Sequence, residues 1–76
     1  MKEILEILIK NLVEKQDEVQ ITEKQEENQI VYEVKVAQDD MGKVIGRQGK
    51  VAKSIRTIMK SVSGKENKKV MVEFLD

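Results

Sequence analysis

The sequence predicts an α+β domain of two layers, built in the order α-β-β-α-α-β. Three observations carry this expectation. Two long segments repeat their apolar residues at helical spacing. Three short segments alternate apolar and polar residues and are rich in β-branched side chains. The connections between them are brief, and the chain holds no proline and no low-complexity run, so short elements must fold onto one another directly.

Residues 3–14 place Ile4, Leu8 and Leu12 in one series and Leu5, Ile9 and Val13 in another, which together make a broad amphipathic helix face. Lys15-Gln16-Asp17-Glu18 breaks that spacing. Val19 and Ile21 alternate with Gln20 and Thr22 as a short strand, and the wholly polar stretch Lys24–Gln29 reads as a hairpin loop. Ile30, Tyr32, Val34 and Val36 alternate with Val31, Glu33 and Lys35 in the clearest strand of the chain. Asp39 and Asp40 are residue types that cap helix N-termini; Met41-Gly42-Lys43-Val44-Ile45 then forms a short helix ended by Gly46. A longer helix follows from Lys50 to about Ser63, with Gly64 at its C-terminal stop. Around it Val51, Ile55, Ile58, Met59 and Val62 share a core-facing side, and Lys53, Arg56 and Lys60 the opposite side. Val70, Val72 and Phe74 alternate with Met71 and Glu73 in a final strand.

Composition removes several function classes. With 76 residues the chain is one small domain, expected to span residues 1–76, and a chain of this size buries about 60% of its unfolded surface. It has no Cys and no His, which excludes disulfides, thiolate or imidazole metal sites and every Ser-His or Cys-His mechanism; no metal and no cofactor are expected. One Tyr, one Phe and no Trp rule out a row of stacked aromatics as the means of binding. The longest apolar run is three residues, too short to span a bilayer, and Met1-Lys2-Glu3 opens no signal peptide. No membrane association is expected and the cytoplasm is the default location.

The 14 basic and 14 acidic residues cancel, but not locally. The first 40 residues carry 5 basic and 11 acidic side chains, a net of −6, and the remaining 36 carry 9 and 3, a net of +6. From Met41 to Lys65 there are seven basic residues and no acidic one. The two halves of the fold can attract each other, and the basic half can attract an anion. The single sign of the Lys53, Arg56 and Lys60 stripe favours an anion, because an ordinary solvated helix mixes signs to gain i,i+4 pairs.

The segment with chemical content is Gly42-Lys43-Val44-Ile45-Gly46-Arg47-Gln48-Gly49-Lys50. Glycines at both ends of Gly46-Arg47-Gln48-Gly49 permit a tight turn and close approach to a ligand. The N–H groups and positive dipole end of the following helix favour anionic oxygen, Arg47 and Lys50 add charge there, and Val44 and Ile45 offer an apolar floor for bases. A plain turn between two helices has the same glycines but no need of the basic residues. A P-loop is excluded, since Val44 stands where its first glycine belongs and Val51 follows Lys50. A dinucleotide fingerprint fails at Val44 as well.

The string from Asp40 to Thr57, with Val44-Ile45-Gly46-Arg47-Gln48-Gly49-Lys50 and Ile55 inside it, resembles the KH domain, in particular the small stand-alone bacterial KH-domain RNA-binding proteins of the KhpA type. The likeness covers the whole chain. It implies a type II KH fold with a three-stranded mixed sheet packed against helices on one face, and a Gly-x-x-Gly loop that clamps about four nucleotides of single-stranded RNA. On that likeness Gly46, Arg47, Gln48 and Gly49 are the clamp, Lys43, Val44 and Ile45 the first helix of the groove, and Lys50, Lys53 and Ser54 the start of the second. Lys65, Lys68 and Lys69 match the variable loop as a far wall, Arg56 is a further candidate, and Ala52, Ile55, Ile58 and Met59 belong to the core. The resemblance also implies a homodimer, pairing with a larger multi-domain KH protein of the Jag type, and roles as an RNA chaperone and post-transcriptional regulator linked to cell elongation and division. Either the face of the first helix or the exposed side of Met59 and Leu75 could supply the dimer contact. One departure is Gln16, where the family often has proline.

Three other classes compete. A KH scaffold that only dimerises needs no clamp glycines. A helix-turn-helix protein would prefer duplex DNA. An enzyme would need an acid-base pair at a shared site, and the acidic residues lie away from the glycine loop.

Overall fold

The computed structural model describes residues 2–64 and 68–75. Its elements are helix α1 (Lys2–Lys10), strands β1 (Gln20–Gln25) and β2 (Gln29–Lys35), helices α2 (Met41–Ile45) and α3 (Lys50–Val62), and strand β3 (Lys69–Leu75), with single 3-10 turns at Gln16–Glu18, Gln38–Asp40 and Arg47–Gly49. The sheet order is β1-β2-β3. β1 runs antiparallel to β2, with Ile21 opposite Val34, and β3 runs parallel to β2, with Val72 opposite Tyr32. The sheet is therefore mixed, as the resemblance implied.

β2 lies in the centre and carries the most regular alternation. Ile30, Tyr32, Val34 and Val36 point into the core with Val72 from β3, where they meet Leu5, Ile9 and Val13 from the N-terminal segment, Val44 of α2, and Ile55 and Met59 of α3. The helices cover this one face, and Val31, Glu33 and Lys35 lie on the other.

Several boundaries differ from expectation for identifiable reasons. α1 stops at Lys10 rather than at residue 14, because Asn11 turns its side-chain Nδ2 back onto the Ile7 carbonyl at 2.7 Å and the Leu12 N–H shortens its bond to Ile9 O; Val13 still enters the core. β1 runs on to Gln25 through residues expected to be loop. It is an edge strand whose side chains are almost all exposed, so polar residues suit it. Ile58 and Val62, assigned to the core by helical spacing, are each 41% exposed. Met59 is wholly buried, so it has no exposed side for a dimer contact.

Asp40 departs most. It precedes α2 but makes no side-chain cap to that helix. Its carboxylate turns instead to the chain leaving α1, accepting bonds from the backbone N–H groups of Lys15 at 3.0 Å and Glu14 at 3.3 Å. Lys43 approaches the same carboxylate at 3.4 Å and Glu14 Oε1 at 3.0 Å. The bond from the Lys15 N–H is the largest influence holding the Asp40 pKa below the usual carboxylate value.

Candidate nucleic-acid interface

α2 ends at Ile45, and the four residues Gly46–Gly49 turn the chain into α3. Positive φ values occur at Gly46 (76°), Gln48 (58°) and Gly49 (74°). The two glycines serve different ends. A Cβ on Gly46 would lie 2.4 Å from Val51 Cγ2 and 2.9 Å from the Val51 backbone nitrogen, and its φ/ψ of 76°/174° belongs to a region essentially reserved for glycine. Gly46 is thus held against the start of α3. Around a Cβ on Gly49 there is open space, so Gly49 keeps its bare surface toward solvent while its left-handed φ sets the turn. Gln48 takes a left-handed conformation without being glycine, which aims an exposed side chain outward at the tip.

No side chain caps the start of α3. Its first N–H, that of Lys50, bonds the Arg47 carbonyl of the preceding 3-10 turn, and Arg47 and Lys50 stand exposed at the positive end of the helix dipole. Ser54, one turn further on, donates its hydroxyl to Lys50 O at 3.0 Å and sits with Lys50 and Lys53 along a shallow depression.

A larger groove of about 970 Å³ runs between α3 and β3. Lys53, Arg56, Thr57 and Lys60 form its helical wall, and Lys68 to Glu73 its strand wall. Arg56 spans the two: its Nε donates to Val72 O at 3.1 Å and its guanidinium stands 5.6 Å from the centre of the Phe74 ring, within cation–π range.

The sequence-predicted residues thus sort by place. Arg47, Gln48, Lys50, Lys53 and Ser54 are exposed along the loop and the first turns of α3, with Gly46 and Gly49 between them. Arg56, Lys68 and Lys69 join Lys53 at the groove. Lys65 lies outside the described residues. Ile45 is half-buried. Val44, expected as floor for bases, is fully buried in the core and presents no surface. Lys43 is committed to Glu14 and Asp40, and its bond to Glu14 is the largest influence raising its pKa. Lys60 was not among the residues matched to the groove, although its place on the single-sign stripe signalled it.

Charge attraction between the halves is met at Lys43. The remaining ion pairs among the described residues join Lys15 to Asp39 and Lys24 to Glu33, both within the acidic half. None of them engages Arg47, Lys50, Lys53, Arg56, Lys60, Lys68 or Lys69.

The family model described as the KhpA/KhpB KH domain matches residues 2–74. The chain belongs to the KhpA/KhpB KH-domain family. Within that family it is 53% identical over 75 residues to the RNA-binding protein KhpA of Clostridium acetobutylicum, covering 99% of this chain and all of the relative. It is 52% identical, with the same coverage, to the RNA-binding protein KhpA of Clostridium perfringens. To the RNA-binding protein KhpA of Chlamydia trachomatis it is 46% identical over 76 residues, which cover 100% of this chain and 97% of the relative. No solved structure matches the chain. The KhpA/KhpB match and the mixed three-stranded sheet agree on the KH fold.

Proposed function

We propose that this chain, acting as one KH domain, binds single-stranded RNA through the Gly46–Gly49 turn and the groove between α3 and β3. The observation that carries the reading is the uncapped start of α3 beside a loop with two exposed side chains, Arg47 and Gln48, and one bare glycine, Gly49. A phosphate there meets the positive end of the helix dipole and unpaired cations together. Lys53, Lys60, Lys68 and Lys69 extend the same sign along the groove that the rest of the strand would follow. Lys43 contributes least, since two carboxylates already hold its ammonium. The names of the KhpA relatives support RNA as the ligand.

A helix-turn-helix reading fits poorly, because α2 has only five residues and the α2–α3 pair sits between β2 and β3. The test is a titration of one unstructured RNA and of a DNA duplex of matching sequence. Tighter binding of the RNA, with a salt slope of roughly −2 for about three neutralised phosphates, supports the reading; preference for the duplex overturns it.

A site that neutralises only about three phosphates holds RNA modestly, and a second copy would add strength through effective concentration. Homodimerisation, pairing with a larger Jag-type KH protein, and action as an RNA chaperone or post-transcriptional regulator form the wider proposal. Exposed Ile4 and Ile7 on α1 and Ile58 and Val62 on α3 support the dimer, since they leave apolar side chains in water on two neighbouring helices.

A further inference from the structure

At the groove wall, the bond from Arg56 to Val72 changes what a bound base would meet. β3 is an edge strand, and the Val72 carbonyl on its free side is an acceptor to which the amino group of a base would donate. Arg56 Nε occupies that carbonyl at 3.1 Å, and Phe74 supports the guanidinium plane. With Nε held, the two terminal nitrogens of the fork remain, and they carry only donors. Lys53, Lys60 and Lys69 around them are donors as well. Glu73, the one carboxylate lining this groove among the described residues, follows Val72 and so projects from the opposite face of the strand.

A base lying against Val72 thus meets a carbonyl with one of its two lone pairs already engaged by Nε, and beside it a fixed pair of donors. Adenine and cytosine present an amino group on the edge where guanine presents two adjacent acceptors, N7 and O6, which match an arginine fork. We propose that Arg56 makes this groove select guanine, its two terminal nitrogens donating to N7 and O6 while Nε stays on Val72 O. The proposal rests on the reading of this groove as the RNA site and names the base that it takes.

The test uses uridine-rich RNA octamers with one central guanine, adenine or 7-deazaguanine, beside the uridine-only octamer, in fluorescence anisotropy with the full chain. The guanine octamer is expected to bind about tenfold tighter than the adenine one, and 7-deazaguanine, which lacks the N7 acceptor, to lose most of that gain. Arg56→Lys keeps the charge but not the fork; it is expected to bring the guanine and adenine affinities together. Guanine no better than adenine, or 7-deazaguanine equal to guanine, overturns the proposal, and both are read on the native protein whatever the variant does. Equal weakening of every octamer by Arg56→Lys, with the guanine preference kept, assigns the fork to phosphate and also overturns it. Failure of all octamers to bind removes the RNA reading itself.

Discussion

Asp40 and Lys15 are 25 residues apart in the chain and joined by one hydrogen bond, 3.0 Å from the Lys15 backbone N–H to the Asp40 Oδ2. With the bond from Glu14 N–H and the approach of Lys43, it ties the exit of α1 to the entry of α2, and through α2 to the glycine turn. A carboxylate accepting backbone N–H groups is favoured in its charged form, so the fastening depends on ionisation.

Acid is therefore expected to loosen it. The folded pKa of Asp40 lies below its unfolded value, so its stabilisation is complete above the ordinary carboxylate range and is lost as pH falls below about 4 toward the folded pKa. Thermal melts of the native chain and Asp40→Asn from pH 7 to pH 2 check this. The native chain is more stable at pH 7 and the gap closes in acid; a constant gap contradicts the assignment.

The two clamp glycines are expected to differ when replaced by alanine. Gly46→Ala meets both the forbidden backbone region and Val51, and costs about 2–3 kcal/mol. Gly49→Ala meets only a left-handed φ with open space around it, and costs about 1 kcal/mol. Urea denaturation of the two variants checks the order.

Gly42 sits inside α2 with nothing within 4 Å of an added Cβ. Gly42→Ala is expected to stabilise the chain by about 0.5–1 kcal/mol, through lower backbone entropy in the unfolded state. Differential scanning calorimetry reads it as a rise in Tm.

Much of this was legible in the sequence, and the remainder was not for physical reasons. The core of β2, the bounds of α2 and the course of α3 follow from local periodicity, which a chain carries in itself. The glycine turn was legible too, because Gly46 and Gly49 are residues whose conformational freedom is their message. The role of Asp40 was hidden: an aspartate before a helix reads as its cap, and nothing local says that its partners lie near residue 15. Arg56 was hidden in the same way. Helical rotation placed it with Lys53 and Lys60, but only the tertiary approach of β3 gives it Val72 and Phe74. The exposure of Ile58 shows the converse, since helical spacing gives a side of the helix and not where its packing ends.

If the apolar side chains left outside by α1 and α3 meet a second copy, sedimentation velocity finds the native chain as a dimer. Ile7→Glu with Ile58→Glu then gives a monomer with unchanged circular dichroism. A native monomer at tens of micromolar contradicts the dimer.

The most direct test of the account is the Arg47→Asp, Gln48→Asp double variant in a gel-shift assay with unstructured RNA. Both side chains are exposed, so the fold should survive with its melting temperature nearly unchanged. Two carboxylates would then stand where a phosphate is expected, and RNA retention is predicted to vanish. Retention equal to that of the native chain would contradict the assignment of the Gly46–Gly49 turn as the RNA clamp.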